Sequence, residues 1–577
     1  MIISANVFEK LTIYLRWFGW SPPLRTEASG GGAVQSPASQ MQVGLEAQRG
    51  THGWLVAALT LATAAEAFVL GGVGVALPNM AASFGASADE ISWAVTLYLV
   101  GFTLMLPLTA WFSDVLGQRL FLAASMVVYM LTSVGCAASH SLTMFLVMRT
   151  LQGAAGAPYL VRALLTFGTR LTPAAFRGAS FIIAIPFAFK TISPIISGYL
   201  ADNYSWRYFF LIPIPLLGLA ALLPLIMSTE VWPCRRHPHP DVLGLALLIA
   251  GLGGLFIALY RGQQDAWFDS AMIRGMIGVA VISIPLLIWH SHRPGNHRRF
   301  LALESLGHRG VIAGLFYGFF VGVFLYAGLY LLPQLLRVVG RHDAFGAGLL
   351  TSVDFLATTV GLVICVFFMG VVRTRAWLFL SSMLFTASMI LFATRQTSAT
   401  ADEALYLPLI LRGLSIGFLL PSSAMLTFQA VLSANHGHTA EARGLLHTTR
   451  QLGGAIGIAV IVAMLDARGT LHSSQLTEHL SSASPTYHRV LATLTTGLAH
   501  HGLAPAVSER AAQVALEAMV RREATVLSYQ DVFFVLAGIG AVASVLAFAF
   551  ESPRKRAKQK AAAEKEKVQQ KAARPGS

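Results

Sequence analysis

The sequence predicts an all-α polytopic membrane protein of fourteen transmembrane helices, and three observations carry that prediction. Fourteen apolar stretches of roughly twenty residues run from Trp54 to Phe550, each long enough to cross a hydrocarbon core of about 30 Å as a helix. Over 577 residues the chain is 55% hydrophobic and only 12% charged, with a mean hydropathy of +0.63, which leaves no room for a large soluble domain. The alternation of polar and apolar residues over about ten positions that marks an outer-membrane strand is absent, so the backbone must be satisfied within each helix.

Residues 1–53 form an extension whose apolar positions Leu11, Ile13, Tyr14, Trp17 and Trp20 suit an interfacial helix, while Ser29 to Ser39 has the Gly, Ser and Pro content of disorder. Glu9, Lys10 and Arg16 interrupt the apolar run a signal peptide needs, and Met41 is an alternative start. Span one covers 54–78 and carries Glu66 twelve residues in; span two covers 92–112 and span three 120–138. Span four, 142–168, holds Arg149 seven residues in, and span five, 179–201, holds Lys190 eleven residues in. Spans six, seven and eight cover 207–227, 241–260 and 272–290. Span nine, 310–334, includes the aromatic run Phe316 to Tyr330, which reads as a lipid-facing surface or as the wall of an apolar pocket. Span ten, 346–370, carries Asp354; span eleven covers 376–394; span twelve, 404–428, carries Arg412; span thirteen, 443–465, carries Arg450. An external loop over 467–528 precedes span fourteen, 531–550; its segment Val507 to Arg522 has the spacing of an amphipathic helix, which suits docking a partner or, the plainer reading, a surface loop lying on the headgroups.

Arg149 precedes Pro158 by nine residues and Arg412 precedes Pro421 by nine, with glycines between in both; Arg177-Gly178 and Arg443-Gly444 then open the following spans. This internal repeat divides the chain into a six-helix bundle over 54–227, two linking helices over 241–290, and a second six-helix bundle over 310–550, followed by a basic tail over 551–577. With a cytoplasmic amino terminus, Arg119, Arg170, Arg177, Arg235, Arg236, Arg293, Arg298, Arg299, Arg309, Arg373, Arg375 and Arg443 fall in inside loops, and the short outside loops hold about half as many. That asymmetry places both termini in the cytoplasm.

The net charge of +14 does not indicate nucleic acid, because nine basic residues lie in the tail between Arg554 and Arg574 and others in short loops. Cys136, Cys234 and Cys365 are too scattered for a disulfide framework or a zinc site, and His237 and His239 sit in a basic loop that stands without metal, so no metal site is assigned. A Walker loop, a His-Glu-x-x-His helix and a nucleophile constellation are missing, which argues against an enzyme and leaves an ion gradient as the energy source, with no cofactor.

A charge near the bilayer midplane costs at least about 2.5 to 3.5 kcal/mol and calls for a partner or a watery cavity. Lys190 is the only lysine between Lys10 and Lys555. A desolvated lysine can surrender its proton where arginine stays charged, so Lys190 suits reversible protonation or the anchoring of an anionic ligand; an ion pair with Glu66 or Asp354 is the plainer alternative. Glu66 is the leading candidate for a coupling proton, Asp354 the second, and a permanent Glu66–Arg149 pair is the alternative. Arg162, near the end of span four, suits snorkelling to the interface. Gly153, Gly156, Gly198, Gly453, Gly454 and Gly457 give helix faces on which neighbours approach closely and slide.

These residues resemble the fourteen-helix drug:proton antiporter branch (EmrB/QacA-like) of the major facilitator superfamily. The run Ala110 to Arg119, with Asp114, Gly117 and Arg119, is similar to that family's latch between helices two and three. Leu146 to Gly156, with Arg149, Gln152 and Gly153, is similar to its helix-four motif, in which the arginine is implicated in proton transfer. Thr191 to Phe210, with Pro194 and Gly198, resembles the antiporter motif of helix five, except that Ser193 and Ser197 stand where the family has glycine; Arg450 to Gly457 resembles its helix-thirteen signature. Before Val75-Ala76-Leu77-Pro78 the family often has aspartate where this chain has Val69, and Glu66 lies one turn earlier.

The resemblance implies a major facilitator fold and proton-coupled export of a small organic compound from the inner membrane by alternating access, with Arg149 in proton coupling and Asp114, Gly117, Arg119, Gln152, Gly153, Pro194, Gly198 and Arg450 in gating; the intramembrane charges add, by geometry alone, Glu66 and Asp354 to proton coupling and Arg412 to gating. Lys190 with Arg149 and Glu66 forms the expected substrate site, and its positive interior favours an anionic or amphiphilic cargo. A periplasmic adaptor and an outer-membrane channel are the candidate partners besides the lipid bilayer and the substrate; a specific metabolite or organic-acid transporter, and a non-transporting sensor, are the alternatives.

Overall fold

The computed structural model describes residues 37–168, 173–227, 241–293, 309–369, 371–397, 401–433, 439–479, 485–500 and 505–549, and regular structure among them is helical throughout. The helices are α1 (Pro37–Phe84), α2 (Ala88–Leu116), α3 (Gln118–Ala137), α4 (Leu142–Gly168), α5 (Pro173–Asn203), α6 (Pro213–Met227), α7 (Val242–Arg261), α8 (Ala271–His292), α9 (Arg309–Gln334), α10 (Ala344–Phe368), α11 (Thr374–Arg395), α12 (Asp402–Ser433), α13 (Thr439–His479), α14 (Pro485–His500) and α15 (Pro505–Ala549). Thirteen are long and apolar enough, among the described residues, to cross a membrane, and α4 occupies the remaining predicted span.

Helix ends follow local chemistry. Ser87 and Glu90 form a reciprocal capping box at the start of α2, and the Asp241 and Asp343 carboxylates accept from the Gly244 and Gly346 amides at 2.9 and 2.7 Å. Gly117 alone separates α2 from α3; its φ of +79° is one that glycine adopts without strain, which accounts for a glycine at this turn.

The sequence repeat reappears as a repeat of contacts. In the first half α1 packs on α4, α5 and α6, α2 on α4, and α3 on α4 and α6. In the second half α9 packs on α12 and α13, α10 on α12, and α11 on α12 and α15. The halves meet where α5 lies against α10 and where α2 lies against α13; α7 packs on α8 and lies against α2 and α13, flanking the second seam. Large apolar side chains such as Leu131, Val281, Ile282 and Val545 point outward, as a lipid-facing surface requires.

Two regions differ from expectation. The aromatic run of span nine is core, not lipid surface: Tyr317, Phe320, Phe324 and Tyr326 are buried, and the Tyr317 hydroxyl donates to the Ala543 carbonyl at 3.1 Å. A helix surrounded by α12, α13 and its own bundle's core has little face left for lipid. The stretch 467–528 is mostly helical, because α13 runs on to His479, α14 follows, and α15 begins at Pro505 and packs on α14 before continuing as the last span. At 41 and 45 residues, α13 and α15 reach about 60 Å, twice what the hydrocarbon core needs, so both extend well beyond it. The expectations for the first 36 residues, for Cys234, His237, His239 and for the basic tail, and those for the side chains of Asp114, Arg162 and Arg177, lie outside the described residues.

Candidate functional site

Among the described residues, six buried or half-buried acidic and basic side chains, Glu66, Arg149, Lys190, Asp354, Arg412 and Arg450, converge at mid-height between the bundles, with His447 beside the last. Glu66 on α1 is buried and accepts a hydrogen bond from Tyr98 Oη on α2 at 3.0 Å. No ion pair joins it to Arg149 among the described residues. Arg149, on α4, gives Nε to the Ala94 carbonyl at 3.2 Å and Nη1 to Gln152 Oε1 at 2.6 Å, with its guanidinium 4.3 Å from the centre of the Tyr98 ring. Gln152 in turn donates to Ser133 Oγ at 2.8 Å, so the motif glutamine aims the motif arginine. Gly153 lets α4 press against the Tyr98 carbonyl, where a Cβ would collide with it.

Lys190 is buried on α5 at the seam with α10. Its Nζ lies 4.6 Å from the centre of the Phe355 ring and, among the described residues, has no hydrogen-bond or ion-pair partner. The carboxylates whose fields reach it are those of Glu66 and Asp354, one from each bundle. Asp354 is already engaged, because Arg412 Nη1 sits 2.5 Å from its Oδ2, and Arg412 also donates to the Phe324 and Leu325 carbonyls at 2.9 and 3.4 Å. Arg450 on α13 is half-buried and bonded to His447, and its backbone carbonyl abuts Gly322 of α9, much as the Lys190 carbonyl abuts Gly71 of α1. Two carboxylates therefore face four cations, and the centre carries an excess of positive charge.

The α5–α10 seam closes at the end where α5 finishes. Gly198 lies against the Ala344 carbonyl, Gly348 against the Pro194 carbonyl, and Asp202 Oδ2 accepts from the Phe345 amide at 2.8 Å. Thr191 and Thr359 hydroxyls approach to 3.4 Å at mid-height. Pro194 and Gly198 of the helix-five motif thus sit in the inter-bundle contact. Ser193 and Ser197, which replace glycine, donate to the Phe68 and Gly72 carbonyls of α1, the latter at 2.8 Å. Arg119 is exposed beside Gly117 at the α2–α3 turn, far along the chain from the buried centre.

Tyr98, Tyr129, Phe355 and His447 were not singled out from sequence. An aromatic hydroxyl or imidazole within an apolar span carries little hydropathy penalty, and only its position beside a charge reveals it.

The family model of the Major Facilitator Superfamily matches residues 59–458. The Multidrug export protein EmrB of Escherichia coli K12 is 26% identical over 493 residues, covering 84% of this chain and 92% of that protein. The Fatty acid resistance protein FarB of Neisseria gonorrhoeae is 25% identical over 464 residues, covering 77% and 86%. Among solved structures, a POT family transporter in complex with 5-aminolevulinic acid superposes with a TM-score of 0.58 at 12% identity, over 87% of this chain and 96% of that one.

Proposed function

Because the chain belongs to the major facilitator superfamily, we propose that it is a proton-coupled exporter that carries small drug-like organic compounds out through the inner membrane, exchanging them for protons as the two bundles rock about the central charges. The observation that carries this reading is Glu66, a buried carboxylate held by one tyrosine hydroxyl and not locked to a cation among the described residues, within the fields of Lys190, Arg149 and Arg450. A carboxyl so placed changes protonation when rocking alters the distance to those cations. The multidrug and EmrB names of its relatives support drug-like cargo. Closure at the Asn203 and Ala344 end, outside by the arginine distribution, corresponds to the state that receives cargo from the cytoplasm. The helical projection of α13, α14 and α15 lies on that same side and is where a periplasmic adaptor leading to an outer-membrane channel would dock.

A second reading concerns the cargo. The positive excess and Lys190, unpaired among the described residues, favour an acidic amphiphile, a chemistry in keeping with the fatty acid resistance named for one relative. Purified protein in sealed liposomes, given a pH jump and a panel of basic, neutral and acidic fluorescent compounds, tests both: gradient-driven flux of at least one compound, lost in Glu66→Gln, is expected. Flux of none, with folding verified, would remove the exporter reading.

A further inference from the structure

Inside the first bundle, among α2, α3 and α4, lies a second polar file distinct from the α5–α10 seam. It starts at Glu66, where Tyr98 Oη donates at 3.0 Å. Gly156 marks the convergence: a Cβ there would lie 3.2 Å from Glu66 Cγ, 3.2 Å from the Tyr129 ring and 3.5 Å from Tyr98 Oη. The Tyr129 and Tyr159 rings follow, with centroids 6.1 Å apart. Both their hydroxyls are buried, and among the described residues neither makes a hydrogen bond of full geometry, although Tyr98 is within reach of Tyr129 and Ser125 within reach of Tyr159. Phenylalanine would fill the same space without a polar group to satisfy, so tyrosine at both positions calls for a polar neighbour such as water. Two such hydroxyls near a carboxyl meet the requirement for bound water, which is a polar pocket with several partners.

The file has a direction. On the side of Glu66 facing the Leu142 end of α4, Arg149 and its Gln152 and Ser133 partners place a fixed positive charge that repels a migrating proton. Tyr159 lies ten residues beyond Arg149, about 15 Å along α4. It therefore leads towards the end joined to the start of α5, opposite the end at which Asp202 meets Phe345.

We propose that Tyr98, Tyr129 and Tyr159 enclose bound water and relay the proton of Glu66 through the interior of the first bundle, apart from the cavity that takes cargo. This rests on the reading of Glu66 as the coupling carboxyl. In release, the Glu66 O–H bond breaks as its proton passes to the Tyr98 oxygen, while the proton Tyr98 carried passes to water. That water gives one of its own protons to Tyr129, Tyr129 gives its original proton to Tyr159, Tyr159 releases the proton it carried to a further water, and bulk water is the final acceptor. Each hydroxyl ends neutral, and the turning of the O–H bonds restores the file. A proton leaving by this route is not blocked by cargo in the central cavity.

The test uses full-length protein in nanodiscs and time-resolved infrared spectroscopy after a pH jump, following the protonated carboxyl band that disappears in Glu66→Gln. Tyr129→Phe and Tyr159→Phe remove one hydroxyl each and keep the ring. The expected result is a rate of band formation slowed by at least about tenfold, with its pH midpoint and the thermal unfolding temperature unchanged. An unchanged rate in both variants overturns the relay, as does a shifted midpoint at unchanged rate, which marks a purely structural hydroxyl. If no carboxyl band is lost in Glu66→Gln and pH-driven transport persists in that variant, the coupling assignment itself fails, whatever the tyrosines do.

Discussion

The Ser197 hydroxyl on α5 donates to the Gly72 carbonyl on α1 across 2.8 Å, and Ser193, one turn earlier, donates likewise to the Phe68 carbonyl. The close approach that the helix-five glycines would provide has moved to the other helix: a Cβ at Gly72 would meet the Phe209 ring at 2.7 Å or less and collide with Ser193 Oγ. Restoring glycine in Ser193→Gly and Ser197→Gly should therefore cost about 0.5–1.5 kcal/mol each and leave transport in place. Gly72→Ala forces the two helices apart and should lower both stability and transport more than either serine variant. Thermal unfolding in detergent beside liposome flux checks the order of the three.

Thirteen helices among the described residues are long and apolar enough to cross a membrane and α4 lies over the fourteenth predicted span, because apolar length is a strong, local signal. The charges at the site were legible for the same reason: Glu66, Arg149, Lys190, Asp354 and Arg412 each stand out against an apolar background. Their partners were not. Whether Arg412 meets Asp354, and Arg149 meets Gln152 and a tyrosine ring, depends on helix rotation, which hydropathy does not encode. The aromatic run of span nine was misjudged on the same account, since a helix packed on most sides and one facing lipid are equally apolar.

Asp354 and Arg412 are a buried pair with the second carboxylate oxygen, Oδ1, unpartnered among the described residues. Asp354→Asn leaves a buried guanidinium without its counter-charge and should destabilise by about 3–5 kcal/mol. The double variant Asp354→Leu with Arg412→Met should recover most of that loss. A double-mutant cycle by thermal unfolding measures the coupling; additive losses would show that the pair does not act as a unit.

Glu66→Gln keeps an oxygen that can accept from Tyr98 but cannot take up a proton. The variant should insert and unfold like the parent yet lose pH-driven flux. Arg149→Lys, which retains charge without the fork that reaches both Ala94 and Gln152, should slow transport without abolishing it.

Gly198 and Gly348 set how closely the bundles meet at the closed end. A side chain at Gly198 would come within 2.7 Å of the Ala344 carbonyl carbon, and one at Gly348 within 2.8 Å of the Pro194 carbonyl carbon. Gly198→Leu should hold this end open and reduce turnover while leaving each bundle folded. Spin labels placed on α5 and α10 should report a lengthened distance between the two helices; an unaltered distance with lost transport would point to a local packing fault.

Lys190 distinguishes the two classes of cargo by the sign of a pH effect. An acidic compound held by the ammonium is repelled by ionised Glu66, so its binding should strengthen as pH falls and Glu66 becomes protonated, and Glu66→Gln should bind it well wherever Lys190 keeps its proton. A basic compound competes with Lys190 and protons for the same carboxylate, so its binding should strengthen as pH rises. Lys190→Met should abolish the first behaviour and leave the second, because it removes the anchor for one cargo and only a competitor for the other. Fluorescence titrations with naphthalene-2-carboxylate, its neutral carboxamide and 2-naphthylmethylamine, in parent and variant, separate these cases: equal losses for all three probes would make Lys190 a structural residue of the α5–α10 seam, resting on Phe355.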